Sequence, residues 1–228
     1  MTEIIIALMI VLLNVVIFLL MTRLYRRYPT PFLIPVLTTS FCIVGLLLLF
    51  GIPYETYMIG GKYIDLLLGP AVVALAYPLY KQRDVLMKSL MPILSGVMVG
   101  SVVGMASGVL FAKLIGVKEV LIMTLLPKSV TTPVAMEISD VLGGTPSLTV
   151  VFVMIAGFTG VVIGPYIVKG FRMDDELSQG IALGSASHAI GTSKAFEYGL
   201  DAATVSSVAM ALCAIIVSIL GPLFVSVF

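Results

Sequence analysis

The feature that most constrains this chain is its opening apolar run, Ile4 to Met21, in which Asn14 is the single polar interruption. A helix rising 1.5 Å per residue needs about 20 such residues to cross a hydrocarbon core about 30 Å thick. Comparable runs recur near 33 to 50, 89 to 113, 147 to 168 and 202 to 227. In lipid every backbone N–H and C=O must be satisfied within the protein, and runs of this length satisfy them as helices. The sequence therefore predicts an all-α, polytopic transmembrane helical bundle in a single domain over 1–228. Its composition agrees: 60% hydrophobic and 11% charged residues, with a mean hydropathy of +1.17, where a soluble domain carries about 25% charged residues.

Charge and cysteine content exclude other classes. The formal net charge is +1, and no Lys/Arg run is long enough to follow a phosphate backbone, so nucleic acid is not an expected partner. Cys42 and Cys213 lie in apolar runs, without C-x-x-C or histidine spacing, and read as small buried residues. No metal site and no cofactor is expected. The N-terminal run follows Glu3 and precedes Arg23, Arg26 and Arg27. A signal peptide has the reverse charge order, so the run reads as a first transmembrane helix. The positive-inside rule makes those arginines cytoplasmic and the N-terminus external, and Lys81, Arg83 and Lys88 fall on the arginine side if the second helix and the piece near 61 to 80 both span. Beyond residue 116 the rule loses force, because Lys169 and Arg172 are accompanied by Asp174, Asp175 and Glu176. About seven or eight spanning segments are expected.

Three less regular pieces lie between the clear runs, near 61 to 80, 118 to 142 and 180 to 198. Residues 66–80, "LLLGPAVVALAYPLY", and 124–138, "TLLPKSVTTPVAMEI", are alike. Each has leucines, a proline break (Pro70, Pro127), small and β-branched residues, and a second proline (Pro78, Pro133). Small residues then recur every fourth position: Gly96, Gly100, Gly104 and Gly108; Ala156, Gly160 and Gly164; and, after the third piece, Ala203, Ser207 and Ala211. Such stripes bring helices close to backbone contact. Interrupted hydrophobic segments point to a central transporter site, since only a break exposes helix termini near the middle of a membrane.

The stretch "LLPKSVTTPVAMEISDVLGGTPSL", 125–148, carries the most chemistry. Breaks at Pro127 and Pro133 would free backbone groups that only a protein-lined or water-filled cavity can satisfy. A helix restarting near 132–134 would aim its positive dipole end at the break, with Ser129, Thr131 or Thr132 able to cap it. With Lys128 alongside, the segment suits a small carboxylate. The plainer alternative has Lys128 reaching for an interface while the hydroxyls satisfy the broken helix. The third piece adds His188, the single histidine, among Ser185, Ser187, Thr192, Ser193 and Lys194. His188 and Glu137 are the candidate proton carriers; as alternatives, His188 is a packing residue and Glu137 an ion-pair partner of Lys128 or Lys194.

Residues 126–165, "LPKSVTTPVAMEISDVLGGTPSLTVVFVMIAGFTGVVIGP", with 180–199, "GIALGSASHAIGTSKAFEYG", resemble the signature of the LrgB/CidB family of bacterial inner-membrane proteins, and its YohK-type members in particular. The similarity extends over nearly the whole chain. The resemblance implies a fold related to the cation–proton antiporter and anion transporter superfamily, with discontinuous helices meeting near the membrane centre. It also implies two functional traditions. Some relatives are holin-like or antiholin-like proteins that regulate murein hydrolase activity and lysis, and others move pyruvate, glycolate or glycerate. The family commonly works with a small LrgA/CidA-type membrane protein, and a homo-oligomer, in the simplest case a dimer, is expected.

The leading expectation is transport of a small monocarboxylate by alternating access. Lys128, Ser129, Thr131 and Thr132 would bind it, and Ser185, Ser187, His188, Thr192 and Lys194 would complete the site. A holin-like pore is the rival; polarity gathered into short broken segments, rather than striped along a whole helix, favours a central site. An enzyme is not expected: neither G-x-S-x-G nor H-E-x-x-H occurs, and adjacent Ser187 and His188 would not face each other on a helix.

Overall fold

The computed structural model describes residues 2–30, 33–67, 70, 73–74 and 76–227, and among them every regular element is a helix. Two compact units are formed, Met1–Ala71 and Val72–Phe228.

The first unit holds α1 (Thr2–Arg27), α2 (Pro35–Leu49) and α3 (Tyr54–Asp65). α1 is apolar on all sides, and the spacing of its exposed residues, Ile4, Ile5, Leu8, Met9 and Leu12, gives no solvent-facing polar stripe. It packs on α2 and α3. Gly60 of α3 permits the closest approach: a Cβ there would fall 2.8 Å from the Ala7 carbonyl oxygen. The Tyr57 hydroxyl donates to Asn14 Oδ1 at 2.9 Å, and the Asn14 amide donates to the Ile10 carbonyl at 2.8 Å, which satisfies the polar residue inside the first apolar run.

The second unit holds α4 (Ala76–Lys81), α5 (Arg83–Lys88), α6 (Leu90–Leu114), α7 (Glu119–Leu125), α8 (Thr132–Val141), α9 (Pro146–Gly170), α10 (Glu176–Ala195) and α11 (Leu200–Val227). α6 and α10 both pack on α11, α9 packs on α8 and α10, and the fully buried Ile93, Val97, Val153, Val208, Cys213 and Val217 lie within this unit. Lipid removes most of the hydrophobic drive between helices, so close approach at small residues carries the packing. α10 against α11 shows it: a Cβ on Gly180 would fall 2.5 Å from the Ala202 carbonyl oxygen, and one on Gly184 would meet the Ser206 backbone.

Among the described residues four helices, α1, α6, α9 and α11, are long and apolar enough to cross a membrane, so this is a multi-pass membrane protein. The 15-residue α2 is apolar but shorter; straight, it extends about 22 Å at 1.5 Å per residue. Where seven or eight segments are expected, the described residues hold four full-length helices and a set of shorter pieces. Of the expected breaks, Pro70 is helical, but residues 68–69 and 71–72 around it lie outside the described residues. Pro78 lies within the described helical residues 76–81, and residue 75 before them lies outside the described residues. Pro133 lies at the second position of α8, where the helix is expected to restart after the break.

Candidate functional site

The break at Pro127 is present. α7 stops at Leu125, and the chain passes through two successive turns, in which the Lys128 N–H donates to the Leu125 carbonyl at 3.1 Å and the Val130 N–H to the Pro127 carbonyl at 3.2 Å. α8 begins at Thr132. Thr131 is its N-cap by backbone geometry (φ −61°, ψ 143°), but its side chain makes no capping bond. The Thr131 hydroxyl is buried and has no hydrogen-bond partner among the described residues, so the expected cap by Ser129, Thr131 or Thr132 is not made.

Lys128 projects from these turns toward α6. Its Nζ donates to the Gly104 carbonyl at 2.7 Å, and a Cβ on Gly108 would fall 2.7 Å from the same nitrogen. The stripe on α6 thus receives two elements in order. Gly96 and Gly100 face Ile181 and Ser185 of α10, while Gly104 and Gly108 face Ser129 and Lys128 of the break. No carboxylate lies within ion-pair distance of Lys128 among the described residues, which sets aside its pairing with Glu137. An ammonium has three donors, and the Gly104 carbonyl occupies one.

A second break lies in α10 and needs no proline. Ser187 (φ −133°, ψ 17°) and His188 (φ 44°, ψ −136°) leave helical geometry, and the helix resumes beyond them. A positive φ is costly for a residue with a Cβ, of order 1–3 kcal/mol, and persists only where the surroundings enforce it. Here His188 is buried, with Nε2 3.0 Å from the Val153 carbonyl oxygen of α9, and Gly157 leaves room for the ring. Thr192 donates to the His188 carbonyl at 3.0 Å and receives the Ser206 hydroxyl at 3.0 Å. Gly191 abuts the Leu183 carbonyl so closely that no larger residue fits there without moving the backbone. Because of the kink, helical periodicity does not give the faces of residues 184–194: His188 points to α9, Thr192 to α11, and the Ser185 hydroxyl bonds the Ile181 carbonyl at 2.7 Å beside Gly100 of α6.

The two breaks line one cavity. Its volume is about 540 Å³, and Lys128 and Ser129 border it from the first break, Ser187 from the second, and α9 from the remaining side. The Ser187 hydroxyl fills the space that Gly160 of α9 leaves by lacking a Cβ. A cation and two hydroxyls are chemically suited to holding an anion.

Other expected residues fall elsewhere. Lys194 does not border the cavity; it donates to Glu197 Oε2 at 2.6 Å, one helical turn on. Glu137 is exposed on α8 and outside the cavity lining. Thr132, partly buried, and Ser185, buried, are also outside it. Three contributors escaped the sequence reading: the Gly104 carbonyl, the Val153 carbonyl and Ser206. Backbone acceptors leave no mark in residue identity; the Gly104–Gly108 spacing was the one available signal, and it reads as packing.

Comparison with known proteins places the chain. The family model described as the LrgB-like family matches residues 14–227. The chain is similar to YxaC of Bacillus subtilis (59% identical, over 98% of this chain and 97% of the relative) and to YwbG of the same organism (43%, over 94% and 95%). It is also 39% identical to the holin-like protein CidB of Staphylococcus aureus, over 97% of each chain. No solved structure matches. The family match spans nearly all of the sequence, and with three relatives above 30% identity along their whole lengths the chain belongs to the LrgB-like family.

Proposed function

We propose that this protein moves small monocarboxylates, of the pyruvate, glycolate or glycerate class, across the membrane by alternating access. One observation carries the reading: Lys128, uncompensated by any carboxylate among the described residues, borders the cavity where the 126–131 break meets the Ser187–His188 kink. The substrate carboxylate binds Lys128 with Ser129 and Ser187, and one set of packed helices rocks against the other. His188 is the group we assign to proton coupling, because it is buried in the kink next to the cavity-lining Ser187, whereas Glu137 is exposed on α8; neither side chain borders the cavity itself. We further propose a bacterial inner-membrane location with the N-terminus outside, assembly as a homo-oligomer, and a partner of LrgA/CidA type. Uptake of labelled pyruvate, glycolate and glycerate into liposomes, with and without a pH gradient, tests the reading. Saturable, mutually competitive uptake that Lys128→Ala abolishes is expected; selective uptake unchanged in that variant sinks the anion site.

The second reading is a holin-like membrane protein that acts on murein hydrolase activity and lysis. The holin-like description of the CidB relatives supports it more directly than it supports transport. Passage of large neutral dyes as readily as carboxylates from the same liposomes would favour this reading, whereas selective saturable flux counts against it.

A further inference from the structure

Along α10 the hydroxyls on either side of the kink are spent on the helix itself. Ser185 donates to the Ile181 carbonyl at 2.7 Å, Thr192 to the His188 carbonyl at 3.0 Å and Ser193 to the Ile190 carbonyl at 2.7 Å. These are the bonds that serine and threonine ordinarily make to the preceding turn. Ser187 departs from the pattern. It stands at the kink (φ −133°, ψ 17°), and its hydroxyl has no hydrogen-bond partner among the described residues. Yet the side chain is buried, 1% exposed, and held in place: it fills the notch at Gly160 of α9, and a Cβ on Gly191 would fall 2.7 Å from its Cβ. A buried hydroxyl left unpaired is costly, and this one borders the cavity. Of the other hydroxyls on the lining, Thr159 donates to the Ile155 carbonyl at 2.7 Å, and Ser129 lies beside Gly104, the residue whose carbonyl holds Lys128.

We infer that Ser187 is a specificity-determining residue whose hydroxyl reads the oxygen on C2 of the substrate, so that the site takes 2-hydroxy and 2-oxo monocarboxylates in preference to unsubstituted acids of the same chain length. This rests on the anion-site reading of Lys128. The carboxylate and the C2 oxygen stand on adjacent carbons, so a hydroxyl in contact with the first reaches the second. A serine hydroxyl both donates and accepts. It donates to the 2-oxo oxygen of pyruvate and accepts from the 2-hydroxyl of glycolate or glycerate, which is why one residue serves the whole class. Acetate and propanoate offer a carboxylate alone, which only accepts, and leave the lone pairs of Ser187 without a donor. A site built around a polar contact rejects the analogue that lacks it. Because packing at Gly160 and Gly191 fixes the side chain beforehand, little ordering cost offsets the contact.

The test is calorimetric titration of the full chain in lipid nanodiscs with glycolate, acetate, pyruvate and propanoate, repeated on Ser187→Ala, Ser129→Ala and Lys128→Ala, with a melt of each protein. In the native chain glycolate is expected to bind about tenfold tighter than acetate, and pyruvate about tenfold tighter than propanoate. Both preferences should disappear in Ser187→Ala and persist in Ser129→Ala, and Lys128→Ala should bind none of the four. Acetate bound by the native chain as tightly as glycolate, with Lys128 still required, overturns the inference and leaves the anion site standing. So does a preference that Ser187→Ala keeps, or one that Ser129→Ala abolishes instead. Equal loss of all four acids in Ser187→Ala, together with a lowered melting temperature, assigns Ser187 to packing and overturns it as well. Binding of no acid by the native chain sinks the anion site and this inference together.

Discussion

The Lys128 ammonium and the Gly104 carbonyl are joined across 24 residues by a 2.7 Å hydrogen bond that fixes a cation from a broken segment onto the unbroken helix α6. Gly108, one turn further along α6, leaves the space in which that ammonium sits. A methyl added there would stand 2.7 Å from Nζ. The obstructed atom is the tip of a flexible side chain, so the lysine can yield at small cost to folding. Gly108→Ala is thus expected to leave the melting temperature nearly unchanged while weakening carboxylate binding at least tenfold; the pair of measurements is a melt in detergent and a titration on the same sample.

Gly160→Ala should behave in the opposite way. Its added methyl would coincide with the Ser187 side chain, which is 1% exposed and is held at the kink. α9 and α10 must then separate, and overpacking of this kind costs about 1–3 kcal/mol. A clear fall in melting temperature is expected, together with loss of uptake. An unchanged melt would show that the two helices do not meet as described.

These two glycines show what was legible in the sequence. The four-residue stripe announces close packing, and Pro127 announces a break, because a small residue and a missing N–H leave a mark in the letters themselves. What occupies each space depends on the partner element: α10 covers Gly96 and Gly100, and the broken segment covers Gly104 and Gly108. The kink at Ser187–His188 has no such mark. It is enforced from outside by the Val153 carbonyl, Gly157 and Gly191, so helical periodicity does not give the faces of residues 184–194. Pro133 marks the restart expected near 132–134, since a proline that prevents a helix from continuing is equally fit to begin one. For Lys194 the local signal was present: Glu197 stands three residues on, the spacing at which helical side chains meet.

His188 combines a positive φ with a hydrogen bond to α9, and substitutions separate the two effects. His188→Gly removes the backbone penalty but also the bond; His188→Leu removes the bond and keeps the penalty. The leucine variant leaves the Val153 site without its imidazole partner and is expected to lose about 1–3 kcal/mol. The glycine variant should be more stable than the leucine variant by about 1 kcal/mol. Equal melting temperatures would mean that the backbone at 188 is not strained.

Proton coupling distinguishes His188 from Glu137. With Glu137 exposed and outside the cavity lining, Glu137→Gln is expected to keep full stimulation of uptake by an imposed pH gradient. His188→Gln retains a side chain able to hydrogen-bond the Val153 carbonyl but cannot take up a proton. Gradient stimulation should vanish in it while counterflow exchange of unlabelled for labelled substrate continues. Loss of stimulation in Glu137→Gln alone would transfer the coupling role to α8.

Asp175 supplies a pH test outside the apolar segments. It is the N-cap of α10, accepting the Ser178 N–H at 2.8 Å, and that backbone bond holds its carboxyl below the usual value. A depressed folded-state pKa contributes stability that is complete above the unfolded value, about 3.9, and is lost as pH falls through the lower folded value. Melting temperatures of the native chain and Asp175→Ala should therefore differ at pH 5 to 7, by an amount corresponding to a cap worth about 0.5–2 kcal/mol, and converge toward pH 3. Asp175→Asn keeps a capping oxygen without a titrating carboxyl, so it should stay near the native chain at neutral pH while its advantage over Asp175→Ala persists in acid. If all three proteins melt together at pH 7, the start of α10 is held by its packing on α9 and α11 rather than by its cap.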